Sequence, residues 1–518
     1  MKKITSLMIL LIMFLSACGA PAANHPEVEF TSPPVVESTS APTVESTSPP
    51  TAEVQPTAAI PSTGATAAPQ PSAFNILGVL NRDAAQAAQN SSLVVNLNAE
   101  GPSGLWAAWA ENSSGGVRQI FASQFDGETF QARGASLNIH VNVVGDFPTI
   151  TLAGENKSVP WVAWSEPSPG FKDVSQVFAS RFIKDTGLWQ QAGQDRGSGE
   201  ASLNLQTNRP ALHPFIFSGS GDPASPPAPW VAWEETSINS FATQIFVAKG
   251  VKDESGDSKV IGGFHWEPVG VLKASEPTLN VDPFRNSAHP TGVFAETSNS
   301  VPWVTWHESG GDRPSRIFTA RGVADAKAPG GFKWINVPAC QPNDETTCAL
   351  NTNPLKDAKD ASMAAGSLNA GESTVPWLAW PEIGQNGKWQ IIVSRLDTAT
   401  RNSFLQVGAS LNVDPNHDAR SPYITFVGNV PYVGWLEDDG TGKFRVHVRH
   451  LASDPQTGTW ALDSPKQGFN QNPDLTATGP FSAAALGNTL FLTWTEGDPA
   501  SSASQVIVGA LQVSSGQP

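Results

Sequence analysis

The sequence predicts an all-β protein: a seven-bladed β-propeller of four-stranded antiparallel blades, closed by pairing its N- and C-terminal strands in one blade. Three observations carry this expectation. Trp-x-Glu recurs seven times, each time at the end of an apolar strand. An Asn marker also recurs seven times, about ten residues before the next strand. The first Asn precedes the first Trp-x-Glu, so one blade must be assembled from both ends of the chain.

Composition sets the class. The 518 residues include 45 Gly and 43 Pro, and only 15% are charged, which suits short strands joined by turns rather than helices. A net charge of −16 repels phosphate backbones and argues against nucleic acid as a partner. Residues 1–17 read as a lipoprotein signal peptide, with Lys2 and Lys3 ahead of an apolar run from Ile4 to Leu15. The following Leu15-Ser16-Ala17-Cys18 resembles a bacterial lipobox. That resemblance implies lipidation of Cys18, a membrane as partner, and export to the outer face of the cell membrane or outer membrane. A Cys carrying two or three acyl chains anchors firmly. Residues 18–72 are rich in Pro, Ser and Thr, with VESTS written twice, and are expected to form a disordered stalk. The propeller domain is then 73–518.

The seven Trp-x-Glu strands read LWAAWAE, VPWVAWSE, APWVAWEE, VPWVTWHE, VPWLAWPE, VPYVGWLE and TLFLTWTE. Each precedes a strand opening on Gln or Arg, such as QVFASRF or RIFTARG, and successive units lie 55 to 74 residues apart. That length holds four strands with loops. The Asn markers are Asn81, Asn138, Asn204, Asn280, Asn351, Asn412 and Asn470. The last unit, QVIVGALQV, lacks an outer strand, whereas residues near Phe74–Gly78 supply one with no unit before it. Joining the two removes the exposed sheet edges that would invite association, so a monomer is expected. Strand alternation puts Trp161 and Ala163 toward one neighbouring blade and Val162 and Trp164 toward the other, as core. Cys340 and Cys348, with seven residues between them in an exported chain, read as a local disulfide.

Between the third and fourth strands the turns DGETF, DTGLW, GGFHW, GGFKW and TGTW combine Gly or Asp with an aromatic residue. They resemble eroded Asp-boxes, the turn motif of sialidase-type propellers, over about Phe74 to Val513. The resemblance implies the fold. It would also imply three substrate-clamping Arg, a Tyr/Glu nucleophile pair and an Asp acid. Arg420 is the only Arg at the expected rim, and Tyr423 and Tyr432, the only Tyr residues, both fall within strands.

The repeated Glu and Asn belong to every blade, so they read as scaffold that accepts backbone N–H groups and fixes turns. Function is expected where the repeat varies. Fourteen positions just before the innermost strands should rim the axial channel, and among them Asp146, His213, His289, Asp360 and Arg420 are the candidate ligand-binding residues. His213, His289 and Asp360 fall on consecutive blades, a ligand set that a divalent cation accepts; no other cofactor is implied. No HExxH, Walker loop, GxSxG elbow or EF-hand loop occurs. The ranking that results is a non-catalytic module binding a protein or extracellular glycan, then a sialidase-like or other glycan-active hydrolase or lyase at the channel mouth.

Overall fold

The computed structural model describes residues 73–99, 101–197, 199–270, 278–342, 344–452, 458–497 and 504–513. The expected signal peptide, Cys18 and the expected stalk lie outside the described residues. The rest forms seven four-stranded antiparallel sheets, each with strands A to D running outward from a common axis. Strands A of the first six blades are Ala88–Val95, Asp146–Ala153, Ala211–Gly219, Asn286–Ala295, Ser362–Gly366 and Ala419–Val427. The seventh blade takes Ala477–Leu486, Thr489–Glu496 and Gln505–Gln512 from the C-terminal end and its outer strand, Phe74–Val79, from the N-terminal end. Phe74 pairs with Leu511 and Val79 with Ile507, so the ring is closed as the displaced Asn81 predicts. The Cys340–Cys348 disulfide is formed.

What fixes the blades is a repeated buried network. In every blade the Trp indole N–H donates to the Glu two residues on, at 2.8–3.1 Å. The same carboxylate accepts two successive backbone N–H groups of the loop that enters its blade, at 2.5–3.0 Å, as Glu308 does from Val281 and Asp282. All seven carboxylate residues are at most 2% exposed. Burial raises the carboxyls of Glu166, Glu235, Glu308 and Glu437, and pushes Glu235 and Glu308 up to about 7. The Asn markers hold the other end of each loop. Each Oδ1 accepts a backbone N–H of strand C in the preceding blade, at 2.8–3.0 Å. Each Nδ2 donates to the carbonyl five residues on. Every connection is thus tied to the blade it leaves by Asn and to the blade it enters by Glu.

The packing follows the expected alternation. Trp161 and Ala163 pack with Ile216 and Trp233 of the third blade, while Val162 and Trp164 pack with Trp106 and Ala108 of the first. The turn aromatics do more than mark hairpins. Trp189, Trp266, Trp334 and Trp460 each donate an indole N–H to a backbone carbonyl just beyond the outer strand of the preceding blade, at 2.8–3.0 Å. A glycine receives each ring. At Gly270, with φ of 80°, an added Cβ would lie 2.2 Å from the Trp334 ring. These indoles join the outer strands of adjacent blades, where the propeller is widest.

Asn81→Ala should destabilise the domain by about 2–4 kcal/mol, because it strips the Val506 N–H of its acceptor, the Gln86 carbonyl of its donor and the Ser504 carbonyl of one of its two donors. Equilibrium unfolding checks this; Asn402→Ala, at an exposed turn residue, should change stability by less than about 0.5 kcal/mol.

Candidate functional site

One face of the ring carries the loops between strands B and C and the loops that connect successive blades; we call it the upper face. Here each strand A is interrupted. In six blades its pairing register with strand B slips, for example between Asp146 and Thr149 and between Leu212 and Phe215. In the fifth blade the isolated Ala358–Glu382 bridge precedes the same break. At the break sit Asn90, Phe147, His213, His289, Asp360, Ser421 and Gly479, all left-handed, with φ from 46° to 54° in the six non-glycine residues. Proline follows in five blades, where the bulge has already removed the need for a ladder N–H. The sequence places these residues before strand A, as loop ends; most lie inside it. Only a bulge lets the strand pair on both sides while turning one residue out of the ladder.

His213, His289 and Asp360 are brought together. The His213 and His289 ring centroids are 4.4 Å apart, and Phe147 lies edge-on 4.0 Å from His213. The Asp360 carboxylate is 3.3 Å from Nδ1 of His289, and its backbone N–H donates to Nδ1 of His307 at 3.3 Å. Glu234 touches Nδ1 of His213. Burial, then the His289 imidazole, holds His213 down at about 3. Burial likewise holds His307 at about 4, against the opposing pull of Asp360. Asp146 forms a neighbouring group, bonded to Nδ2 of Asn90 at 2.6 Å and to the Arg118 guanidinium. Arg420 stands apart, exposed, with its guanidinium 3.7 Å from the centre of the Phe444 ring. Tyr423 and Tyr432 lie in the inner two strands of the sixth blade.

Sequence reasoning missed Glu234 and His307. They are the middle residues of two Trp-x-Glu motifs, where the other blades carry Ala110, Ser165, Pro381, Leu436 and Thr495. Each is paired across the sheet with the residue just before a left-handed histidine, Leu212 and Ala288. The variable middle letter was the signal. Among the described residues no three His, Cys, Asp or Glu side chains converge as a metal site requires. The arrangement offers close-packed imidazoles, with His213 and His307 kept neutral at pH 7, beside an aromatic edge and the partly exposed Asp360 carboxylate: a surface of hydrogen-bonding groups.

No family model matches the chain, and no curated protein is similar to it in sequence. Its fold is similar to solved structures of low identity. A protein of unknown function from Dyadobacter fermentans is 13% identical, with 85% of this chain and 99% of that one covered and a TM-score of 0.43. Trypanosoma rangeli sialidase in complex with the inhibitor DANA is 11% identical, with 82% and 59% covered and a TM-score of 0.41. An exo-1,5-α-L-arabinanase from a bovine ruminal metagenomic library is 12% identical, with 58% and 92% covered and a TM-score of 0.31. At these identities the likeness concerns the fold alone.

The histidine group makes a pH prediction. A folded pKa of about 4 for His307 lies below its unfolded value of about 6.5, so its contribution is present above pH 6.5 and is lost as pH falls through 4. The loss amounts to at most about 3 kcal/mol. Chemical unfolding at several pH values should therefore show a shallower acid decline for His307→Gln than for the unsubstituted protein.

Proposed function

We propose that this chain is a surface-displayed, lipid-anchored propeller whose upper face binds an extracellular protein or glycan without turning it over. The observation that carries the reading is the concentration of exposed apolar side chains on that face. Phe284, Leu355 and Phe241 are 78%, 76% and 71% exposed, all on upper-face loops of the third and fourth blades or the connections leaving them. Nε2 of Gln244 bonds Oγ of Ser240 and the carbonyl of Pro283, drawing the Phe241 and Phe284 loops together. Large apolar groups gathered on one face mark interaction sites. The histidine group stands on the same blades.

Direction supports it too. The N-terminal strand runs outermost and enters at the lower face, as does the end of the last strand, since Ala73 accepts from the Gln512 N–H there. The described chain therefore begins at Ala73 on the face opposite the candidate site. The Arg420–Phe444 contact and the in-strand tyrosines speak against sialidase-type chemistry.

Phe241→Ser combined with Phe284→Ser should leave the thermal midpoint within about 2 °C, since both side chains are exposed. The same variant should abolish capture of the partner on a glycan array or from solubilised surface proteins. Sugar release from a polysaccharide by the unsubstituted protein would instead make it an enzyme. Cys18→Ser should move the protein from the membrane fraction to the medium.

A further inference from the structure

The lower face holds a second concavity, separate from the histidine rim. It has a volume of about 320 Å³ and is built by the far ends of strands A and the A–B turns of blades two to five. Phe217 and Phe294, buried and 5.8 Å apart between ring centroids, make the apolar part of its wall. Gly292 keeps that wall open, for a Cβ there would meet the Phe217 ring at 2.8 Å. Around the aromatic pair stand Thr151, Ser218, Asn299 and Lys157. No carboxylate lines the concavity among the described residues, in a chain of net charge −16.

The polar groups are held in place by unusual backbone. Glu296, Thr297, Ser298 and Asn299 are four consecutive left-handed residues, with φ of 55°, 31°, 59° and 57°, and Asn156 and Lys157 are two more. Such conformations cost on the order of 1–2 kcal/mol per residue and persist only where the surroundings fix them. Here they are fixed. The buried Glu296 carboxylate accepts from the Trp303 indole at 3.1 Å and from Arg401 at 2.8 Å. Its N–H donates to the Thr374 carbonyl, and Asn299 contacts the Thr374 hydroxyl. The Lys157 turn is tied by Asn98, which donates to the Asn156 carbonyl at 2.7 Å, and by Gly154, whose N–H reaches the Pro227 carbonyl. Among the described residues, no carboxylate pairs with Lys157. Neighbouring protein lowers its pKa, yet the residue is exposed, so its ammonium is left to solvent and to whatever enters the concavity.

From this geometry we infer that the lower mouth of the channel binds a small organic anion, with its charged group on Lys157, hydroxyls on Asn299 and Ser218, and an apolar face on Phe217 and Phe294. The anionic group is a carboxylate or a phosphate, and the size is that of one sugar-like ring. This site is independent of the upper-face reading. It draws on other residues, and either can fail without the other.

The test is calorimetry on the full chain with gluconate, galacturonate and glucose 6-phosphate as probes and glucose as the uncharged control. The expected result is binding of at least one anionic probe below about 10 mM, with glucose inactive. Whichever arm binds, carboxylate or phosphate, identifies the group. Lys157→Gln should weaken that probe about tenfold or more, whereas the Phe241→Ser, Phe284→Ser variant should bind it as before. Lys157 is exposed, so its loss should not unfold the chain; thermal melting of the variant checks this. Failure of every anionic probe, or equal affinity in Lys157→Gln, would overturn the inference.

Discussion

The buried carboxylate of Trp-x-Glu is the contact on which the rest of the molecule depends. A propeller blade has little to hold it at a set angle to the next one except side-chain packing and the loop between them. The Glu converts that loop into a fixed strut. Three donors, one indole and two backbone N–H groups, converge on it inside the protein, and removing it would orphan all three. Burial makes the carboxylate costly to ionise, as the value of about 7 at Glu308 reflects, so the contact is sustained only by complete hydrogen bonding. Asn completes the strut from the other side. Because Asn81 makes the same bonds to Ser504 and Val506 that its six counterparts make locally, closure of the ring reuses the internal joint.

That regularity frees other positions. The left-handed bulge residues occur once per blade and turn toward the channel mouth, but their identity is not constrained by the strut. They vary from Gly479 to Phe147 to His213. Strain there is tolerated because strands A are fixed on both sides by pairing and by hydroxyl bridges, such as Thr149 to the Pro214 carbonyl and Thr291 to the Ala361 carbonyl. The scaffold is uniform and the rim is individual. A histidine group can therefore form on blades three to five without disturbing the architecture.

The architecture was legible in the sequence because its bonds are made by residue types at fixed spacing. Trp109 and Glu111 are two apart, and Asn138 and Val143 five apart, so a local bond leaves a local pattern. Contacts between blades leave none. The Gly270–Trp334 fit joins residues 64 positions apart and looks in the sequence like two ordinary turn signals. The left-handed bulge was hidden for another reason: its seven positions carry Asn, Phe, His, His, Asp, Ser and Gly, and no single type at a fixed spacing marks the positive φ. Of the candidate residues, His213, His289 and Asp360 meet; Asp146 belongs to a neighbouring group; Arg420 faces Phe444. Which rim side chains meet depends on how closely the axis draws seven strands together, and periodicity does not encode that distance.

The most direct test of the strut is the unfolding free energy of Glu308→Gln at neutral pH. The amide keeps the shape but replaces one acceptor oxygen with a donor facing an N–H group. A loss of about 2 kcal/mol or more is expected, with a comparable loss for Glu235→Gln in the preceding blade. A change within about 0.5 kcal/mol in both variants would contradict it, and would leave the inter-blade geometry to side-chain packing alone.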